Sequence, residues 1–309
     1  MQNFWVAVGL RAVQSAVVVW IVLSAVFVVT RMVGDPVTVL APMSATQADI
    51  HRLKGELGLN DPLYEQYARY MRDVAELRLG TSFRTGQPAV NEVKVRLPAT
   101  LELSVSALAL AVLLGVPAGV LAAMKRGTVL DGAARLFALL GQAVPNFWLG
   151  IMLVLLFSVK LGWLPTGGTG GLSHLILPAF TLGAVSSAAI TRLTRSGMLD
   201  VLGADFVRTA RAKGLPERRV ILRHALRHAL MPVVTILGIQ VGLVFAGTIV
   251  VETVFAWPGM GRLLIQSIQS ADYPVVQVGV LLTATAIVLA NMLVDLSYRL
   301  IDPRVQGAL

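Results

Sequence analysis

Six long stretches without a charged residue limit what this chain can fold into. As a helix, an apolar run of about 20 residues crosses the ~30 Å hydrocarbon core of a bilayer. Charged residues make up 14% of the chain, whereas they make up about a quarter of a soluble domain. Because no alternating strand pattern accompanies the runs, they predict an all-α membrane protein with six transmembrane helices. The runs cover residues 12–30, 103–124, 136–159, 172–191, 229–251 and 273–294.

The distribution of Lys and Arg predicts the orientation. With the N-terminus inside, the inner segments hold 15 of the 26 basic residues, and the short outer loops hold only Lys160 and Arg262. Cytoplasmic loops carry the positive excess in membrane proteins, so both termini are predicted to be cytoplasmic. The first run has 19 uncharged residues, which is longer than the apolar part of a signal peptide, and it is predicted to stay as an uncleaved helix.

The long loop 31–100 is predicted to be a small folded insertion on the outer side. Ser44 and Gln47 have the spacing of a capping box, and Gly58 would end the helix that they begin. Asp61, with the proline after it, would begin a second helix. Both helices would be amphipathic. Their apolar faces could pack on the bundle of the same chain, on the membrane surface or on another protein.

Several kinds of chemistry are missing from the sequence. None of the runs contains the Asp, Glu, Lys or Arg that ion-driven transporters keep near mid-membrane, and Glu102, Glu252 and Asp295 lie just outside the runs, where carboxylates are expected to reach water. No lysine is followed by Ser or Thr, as a phosphate-binding loop requires. His224 and His228 have the spacing of metal ligands, but arginines flank them. We predict no catalytic residue, cofactor or metal site, and therefore no enzyme.

The basic stretch RTARAKGLPERRVILRHALRHALMP, residues 208–232, has a definite local structure. Residues 204–213 predict a short helix with Asp205 in its first turn and Lys213 in its last, which suits the helix dipole. Gly214 fits the left-handed position that ends a helix. Pro216 then suits the first turn of a second helix that runs into the fifth apolar run, so a push on the short helix would reach the membrane.

This stretch resembles the EAA loop of importer permeases in the ATP-binding cassette (ABC) superfamily, in the branch for dipeptides, oligopeptides and nickel complexes. In the general motif, Glu-Ala-Ala is followed after three residues by Gly; the matching residues here are Arg208, Thr209, Ala210 and Gly214, so the glutamate is replaced. RTARAKGL is similar to the form usual in the peptide branch. Seven other stretches agree in order along the chain: GDP (34–36), LGLNDPLYEQY (57–67), RLPATLEL (96–103), PNFWLG (145–150), LGWLPTGG (161–168), VVETVFAWPGMGRLL (250–264) and DP (302–303).

The resemblance implies a type I ABC importer permease fold in a prokaryotic inner membrane, with an outer insertion between helices 1 and 2. It implies four kinds of partner: a second homologous permease, two ATP-binding cassette subunits that hold ATP and Mg²⁺, an extracytoplasmic substrate-binding protein and membrane lipid. The short helix would be the coupling helix that docks on an ATPase subunit, through Asp205, Phe206, Val207, Arg208, Thr209, Ala210, Arg211, Lys213 and Gly214. The implied regions are the first helix (1–30), the insertion (31–100), the core (97–296) with its coupling loop (192–228), and the tail (297–309).

Alternatives are open at this stage. Anionic lipid alone could hold the basic loop, and an ATP-independent secondary transporter or channel would also use such a bundle. We expect no nucleic-acid partner. The substrate is expected to be a di- or oligopeptide, with a nickel chelate or another small solute as the alternative. Polar residues that could line the path are Gln142, Asn146, Thr283 and Asn291.

Overall fold

The structure is a computed structural model that describes residues 2–33, 37, 45–56 and 58–301. Within these residues the regular secondary structure is helical, apart from one isolated bridge between Thr81 and Pro88, and turns and loops connect the helices. The chain divides into two compact units. The first comprises Met1–Pro98 with Gly259–Val288, and the second comprises Ala99–Pro258 with Leu289–Leu309.

The helices follow the chain in the order expected from the apolar runs. They are α1 (Gln2–Val33), α2 (Gln47–Glu56), α3 (Leu63–Ala75), α4 (Ala89–Met124), α5 (Val129–Ala143), α6 (Asn146–Leu153, extended by a π-helical turn at Val154–Lys160), α7 (Leu172–Leu202), α8 (Asp205–Ala212), α9 (Glu217–Arg219, extended by a π-helical turn at Val220–Ala225), α10 (Leu226–Ala229), α11 (Met231–Val254), α12 (Met260–Gln269) and α13 (Tyr273–Ile301).

One of the predicted transmembrane helices is broken. Among the described residues, five helices are long and apolar enough to cross a membrane, and α5 with the α6 segment makes a sixth span if the bent pair counts as one. The bend is 110° and falls inside the predicted run 136–159. Pro145 has no N–H to continue the helix and forces the residue before it out of the helical region. Val144 accordingly adopts an extended conformation, with φ −85° and ψ 123°.

Close backbone contact between α4 and α7 holds the second unit together. A Cβ atom at Gly183 would lie 2.5 Å from the carbonyl oxygen of Ala107, and one at Gly115 would lie 2.8 Å from the carbonyl oxygen of Ser187. Small residues permit this approach, which favours van der Waals packing of helices in lipid. The glycines of this α4–α7 contact therefore have a packing role.

The end of α11 corrects one expectation about charge. Glu252 was expected to reach water, but it is 0% exposed, and the hydroxyl of Thr100 donates a hydrogen bond of 2.6 Å to its carboxylate. Nearby, the indole N–H of Trp257 donates to the carbonyl oxygen of Ala99 at 2.9 Å. Buried polar groups need such partners, so the residues around Glu252 tie the end of α11 to Ala99 and Thr100 of α4.

The first unit contains the insertion, and its first helix begins differently from the prediction. Ser44 lies outside the described residues. The capping box that forms is two residues further on: the Asp49 N–H donates to the Thr46 hydroxyl at 3.3 Å, and the Thr46 N–H donates to the Asp49 carboxylate at 3.1 Å. Gly58 has φ +62°, as predicted for the residue that ends this helix.

The second insertion helix, α3, packs on α1. The ring of Phe27 lies 5.3 Å from the ring of Tyr67 and 5.5 Å from that of Tyr70, and the hydroxyls of Ser24 and Tyr67 are 2.7 Å apart. Asp61 does not cap α3 as predicted; it forms an ion pair with an arginine on that helix instead. α3 therefore packs on a helix of its own chain, which is one of the three surfaces considered for the insertion helices.

Candidate functional site

The coupling loop has the local structure that the sequence predicts. α8 covers Asp205–Ala212, and Gly214 adopts the left-handed conformation with φ +70°. The Gly214 N–H donates to the carbonyl oxygen of Arg211 at 2.9 Å, and the next N–H, of Leu215, donates to that of Ala210 at 3.4 Å. These two bonds close the end of α8. Pro216 then precedes α9.

The inner face of α8 is packed on its own chain. Val207 is 0% and Ala210 6% exposed. They belong to an apolar cluster that joins the end of α4, the end of α7 and the helix leading into α11; its other members are Val120, Ala123, Met198, Val220, Ile221, Ala225 and Ala229. A movement of α8 would therefore be shared by three membrane helices, not by α11 alone.

This burial changes the predicted contact set. Val207 and Ala210 were expected to be apolar contacts with a second subunit, but their side chains have almost no accessible surface. Of the three apolar residues predicted to contact the second subunit, only Phe206 is exposed, at 42%. Sequence spacing alone could not show which side of an eight-residue amphipathic helix faces its own bundle.

Two side-chain contacts fix α8 on the helix that follows it. The Arg211 guanidinium donates hydrogen bonds of 2.7 and 3.2 Å to the two carboxylate oxygens of Glu217. These bonds from Arg211 lower the pKa of Glu217. The ring of Phe206 lies 4.9 Å from the ring of His228. Arg211 was predicted as a docking residue, but its guanidinium already binds the Glu217 carboxylate within the loop.

The outer face of α8 is polar and exposed. Its exposed polar residues include Asp205, Arg208 and Thr209, and the two residues Lys213 and Gly214 that follow α8 are exposed as well. Arg208 approaches Asp205 at 3.5 Å across one helical turn, an arrangement worth little in water. These groups are therefore free to exchange their present contacts for those of another protein.

A buried ion pair near the coupling loop was not predicted. Asp131, at the start of α5, has a side chain that is 2% exposed. Its carboxylate accepts hydrogen bonds of 2.6 and 3.0 Å from the Arg195 guanidinium of α7, and one of 3.1 Å from the Gly127 N–H. The more exposed Arg135 lies 3.6 Å away. This pair joins α5 to α7 where the chain turns.

The four candidate path residues have different environments. Gln142 and Asn291 are exposed, and Asn146 is half-buried at the start of α6. The Asn146 side-chain oxygen is buried without a hydrogen-bond partner among the described residues. Thr283 donates to the carbonyl oxygen of its own helix at 2.7 Å. Sequence reasoning missed Gln240, which is 3% exposed on α11 and whose side-chain oxygen also has no partner within the described part of the chain.

No group of three His, Asp or Glu side chains suited to a metal ion occurs in the described residues. The two histidines with metal-ligand spacing have other surroundings. His228 contacts Phe206, and His224 is half-buried. Nothing in this geometry gathers ligands around them.

The apolar helices, five or six of which are long enough to cross a membrane among the described residues, are those of a multi-pass membrane protein. A chain of the MetNI methionine ABC transporter, solved in inward-facing conformations, has a similar fold, with a TM-score of 0.52 and 18% identity over 66% of this chain and 93% of that chain. Residues 115–307 match the binding-protein-dependent transport system inner membrane component, and residues 5–104 match its N-terminal component. The chain belongs to this family and is a permease subunit of a binding-protein-dependent ABC importer in the inner membrane.

Curated relatives cover most of the chain. The dipeptide transport system permease protein DppB of Escherichia coli (strain K12) is 45% identical over 305 residues, which is 88% of this chain and 90% of the relative. The oligopeptide transport system permease protein AppB of Bacillus subtilis (strain 168) is 41% identical over 284 residues, with the same two coverages, 88% and 90%. Members of the family are transporter permeases and not catalytic enzymes, and they work with partner permease, ATPase and substrate-binding subunits. Membership decides against an ATP-independent transporter.

Proposed function

We propose that this permease forms half of the translocation path of an importer for di- or oligopeptides. The observation that carries the substrate class is the 45% identity to a dipeptide permease across 88% of the chain. The oligopeptide relative supports the same class at 41% identity. The side-chain oxygens of Asn146 and Gln240 are buried and have no hydrogen-bond partner among the residues that the structure describes. They are candidates to accept hydrogen bonds from peptide N–H groups.

An ATPase subunit docks on the outer face of α8 in this proposal. Phe206 supplies the apolar contact, and Arg208, Thr209 and Lys213 supply the polar ones. Arg211 acts indirectly, because its bond to Glu217 keeps α8 in position. Val207 and Ala210 transmit the movement, since they are packed on the ends of α4 and α7.

Membership of the family supports the remaining parts of the proposed machine. Two ATPase subunits hold ATP and Mg²⁺, a second permease completes the path, and a binding protein delivers the peptide from outside. Both termini and the coupling loop lie in the cytoplasm, as the Lys and Arg distribution predicts. The insertion lies on the opposite side of the membrane.

The first test is co-purification. The tagged chain, extracted from its native membrane in mild detergent, is expected to bring a second six-span permease and ATPase subunits in stoichiometric amounts. Phe206→Ala should reduce the recovery of ATPase subunits and leave the second permease bound. Recovery of the chain alone, in detergent that keeps a comparable importer intact, would contradict the proposed partners.

The second test concerns the substrate. An amino-acid auxotroph without its own peptide importers, given this permease with its partner subunits, is expected to grow on a dipeptide that contains the required amino acid. A variant of the ATPase subunit that cannot hydrolyse ATP is the control. Uptake of a nickel chelate without growth on any peptide would show that the substrate class is wrong.

A further inference from the structure

Three arginines on the helix that leads into α11 form a surface of their own, the arginine stripe: Arg219, Arg223 and Arg227. All three are exposed. Within the part of the chain that the structure describes, no carboxylate forms an ion pair with any of them, because Asp205 and Glu217 bind arginines of α8. Across the described residues, the stripe therefore presents three positive charges that no carboxylate neutralises.

The backbone aligns the stripe. In an α-helix with 3.6 residues per turn, a spacing of four residues advances about 40° beyond a full turn, so the third arginine would lie about 80° around the helix from the first. The π-helical turn at Val220–Ala225 has more residues per turn and offsets this drift. The buried side chains of Ile221, Ala225 and Ala229 then occupy the opposite face of the same segment.

The position of the stripe along the chain places it at a membrane surface. α11 has 24 residues and is about 36 Å long, which is enough to cross the ~30 Å hydrocarbon core by itself. Arg227 lies four residues before Met231, where α11 begins. Leu222, beside the stripe, is 51% exposed, and an apolar side chain among arginines suits the boundary between headgroups and acyl chains.

We propose that the arginine stripe binds the phosphate groups of anionic phospholipids in the leaflet next to the coupling loop. Guanidinium groups present paired N–H donors that match phosphate oxygens. A docked ATPase does not explain the stripe, because α8 packs on the buried side of this helix, through Val207 and Ala210, and the stripe lies opposite. The proposal does not depend on which substrate the importer carries.

The test measures lipid binding to the purified full-length permease with its partner subunits. Phosphatidylglycerol is titrated into phosphatidylcholine-containing detergent micelles, and bound lipids are counted by native mass spectrometry. Each basic residue near an anionic surface strengthens binding about fivefold. The triple variant Arg219→Gln, Arg223→Gln, Arg227→Gln is therefore expected to bind phosphatidylglycerol at least on the order of tenfold more weakly, with phosphatidylcholine binding unchanged.

Two matched variants make the result specific. Arg218→Gln removes one charge from the same helix but off the stripe, and it should weaken phosphatidylglycerol binding by no more than about fivefold, the effect of one charge. The triple Lys variant keeps the charge and should retain most of the binding. Equal phosphatidylglycerol binding by the triple Gln variant and the wild type would overturn the proposal. So would loss of ATPase subunits from the triple Gln variant with lipid binding intact, which would make the stripe a protein-docking surface.

Discussion

The α4–α7 contact and the outer face of α8 are built on opposite principles. In the α4–α7 contact, backbone meets backbone and no Cβ atom fits at Gly183. On α8, the exposed groups are long polar side chains with weak contacts to their own helix. The α4–α7 contact leaves no room for a larger side chain, whereas the exposed side chains of α8 can adopt several conformations. In the proposed coupling role, α8 needs a rigid support, and the buried residues Val207 and Ala210 pack it on the ends of α4 and α7.

The most direct way to break the comparison is to enlarge the tight contact. Gly183→Ala places a methyl group against the carbonyl oxygen of Ala107, and such overpacking costs about 1–3 kcal/mol. We expect a clearly lower melting temperature in detergent and loss of transport. Gly132→Ala is the matched control, because a Cβ at Gly132 meets nothing within 4 Å. Equal melting of the two variants would show that α4 and α7 can separate without penalty.

The second prediction compares two arginines that face the same carboxylate. Arg195 forms two hydrogen bonds with Asp131 and its side chain is 22% exposed, whereas that of Arg135 is 62% exposed at 3.6 Å. Removing the partner of a buried charge leaves that charge uncompensated. Arg195→Gln should therefore lower the melting temperature more than Arg135→Gln does. The reverse order would mean that Asp131 is not held as the structure indicates.

The third prediction concerns the turn after α8. Gly214 has φ +70°, and a Cβ there meets nothing within 4 Å, so backbone conformation alone decides which residues fit. Asn tolerates this region and a β-branched residue does not. We expect Gly214→Asn to keep ATPase activity that responds to substrate, and Gly214→Val to lose that response while the bundle stays folded. A fully responsive Gly214→Val variant would remove the turn from the coupling route.

The smallest effect is expected at the exposed ion pair of the loop. Arg211→Glu places two carboxylates side by side and should reduce ATPase recovery modestly, and the double variant Arg211→Glu, Glu217→Arg should restore it. Failure of the double variant to restore recovery would indicate that Arg211 contacts the ATPase directly.

The same ion pair predicts little pH dependence near neutrality. Arg211 lowers the pKa of Glu217, so the stabilisation by the pair is present at neutral pH and is lost only as pH falls through that lowered pKa. We expect ATPase recovery to be constant between about pH 8 and pH 6 and to decline only in stronger acid. A decline that begins between those two values would require another titrating group.

Features set by local chemistry could be predicted from the sequence. Gly214 needed only its own φ preference and its neighbours, and the structure agrees. The first capping box was predicted two residues early, at Ser44 and Gln47. Thr46 and Asp49 have the same spacing, and the local sequence does not distinguish the two pairs. The 110° bend at Pro145 was not predicted. The length of an uncharged run indicates that the segment can span a membrane, but not whether the helix within it is straight or bent.

Features that depend on distant partners could not be predicted. Thr100 meets Glu252 across 152 positions of sequence, and Arg195 meets Asp131 across 64. Neither pair has a local signal, since an isolated carboxylate near the end of a run is equally compatible with water. The inward orientation of Val207 likewise depends on the ends of α4 and α7, which are remote in sequence.

The bend between α5 and α6 bears on how the protein enters the membrane during synthesis. α5 has 15 residues, and the second limb has eight α-helical residues followed by seven in the π-helical turn. Each limb is therefore about 22 Å long, too short to cross ~30 Å of hydrocarbon unaided. Both limbs contact α7, at Gly141 and Gly150. The ribosome makes α7 later, so we expect this part of the chain to reach its final depth only after its neighbour has been inserted.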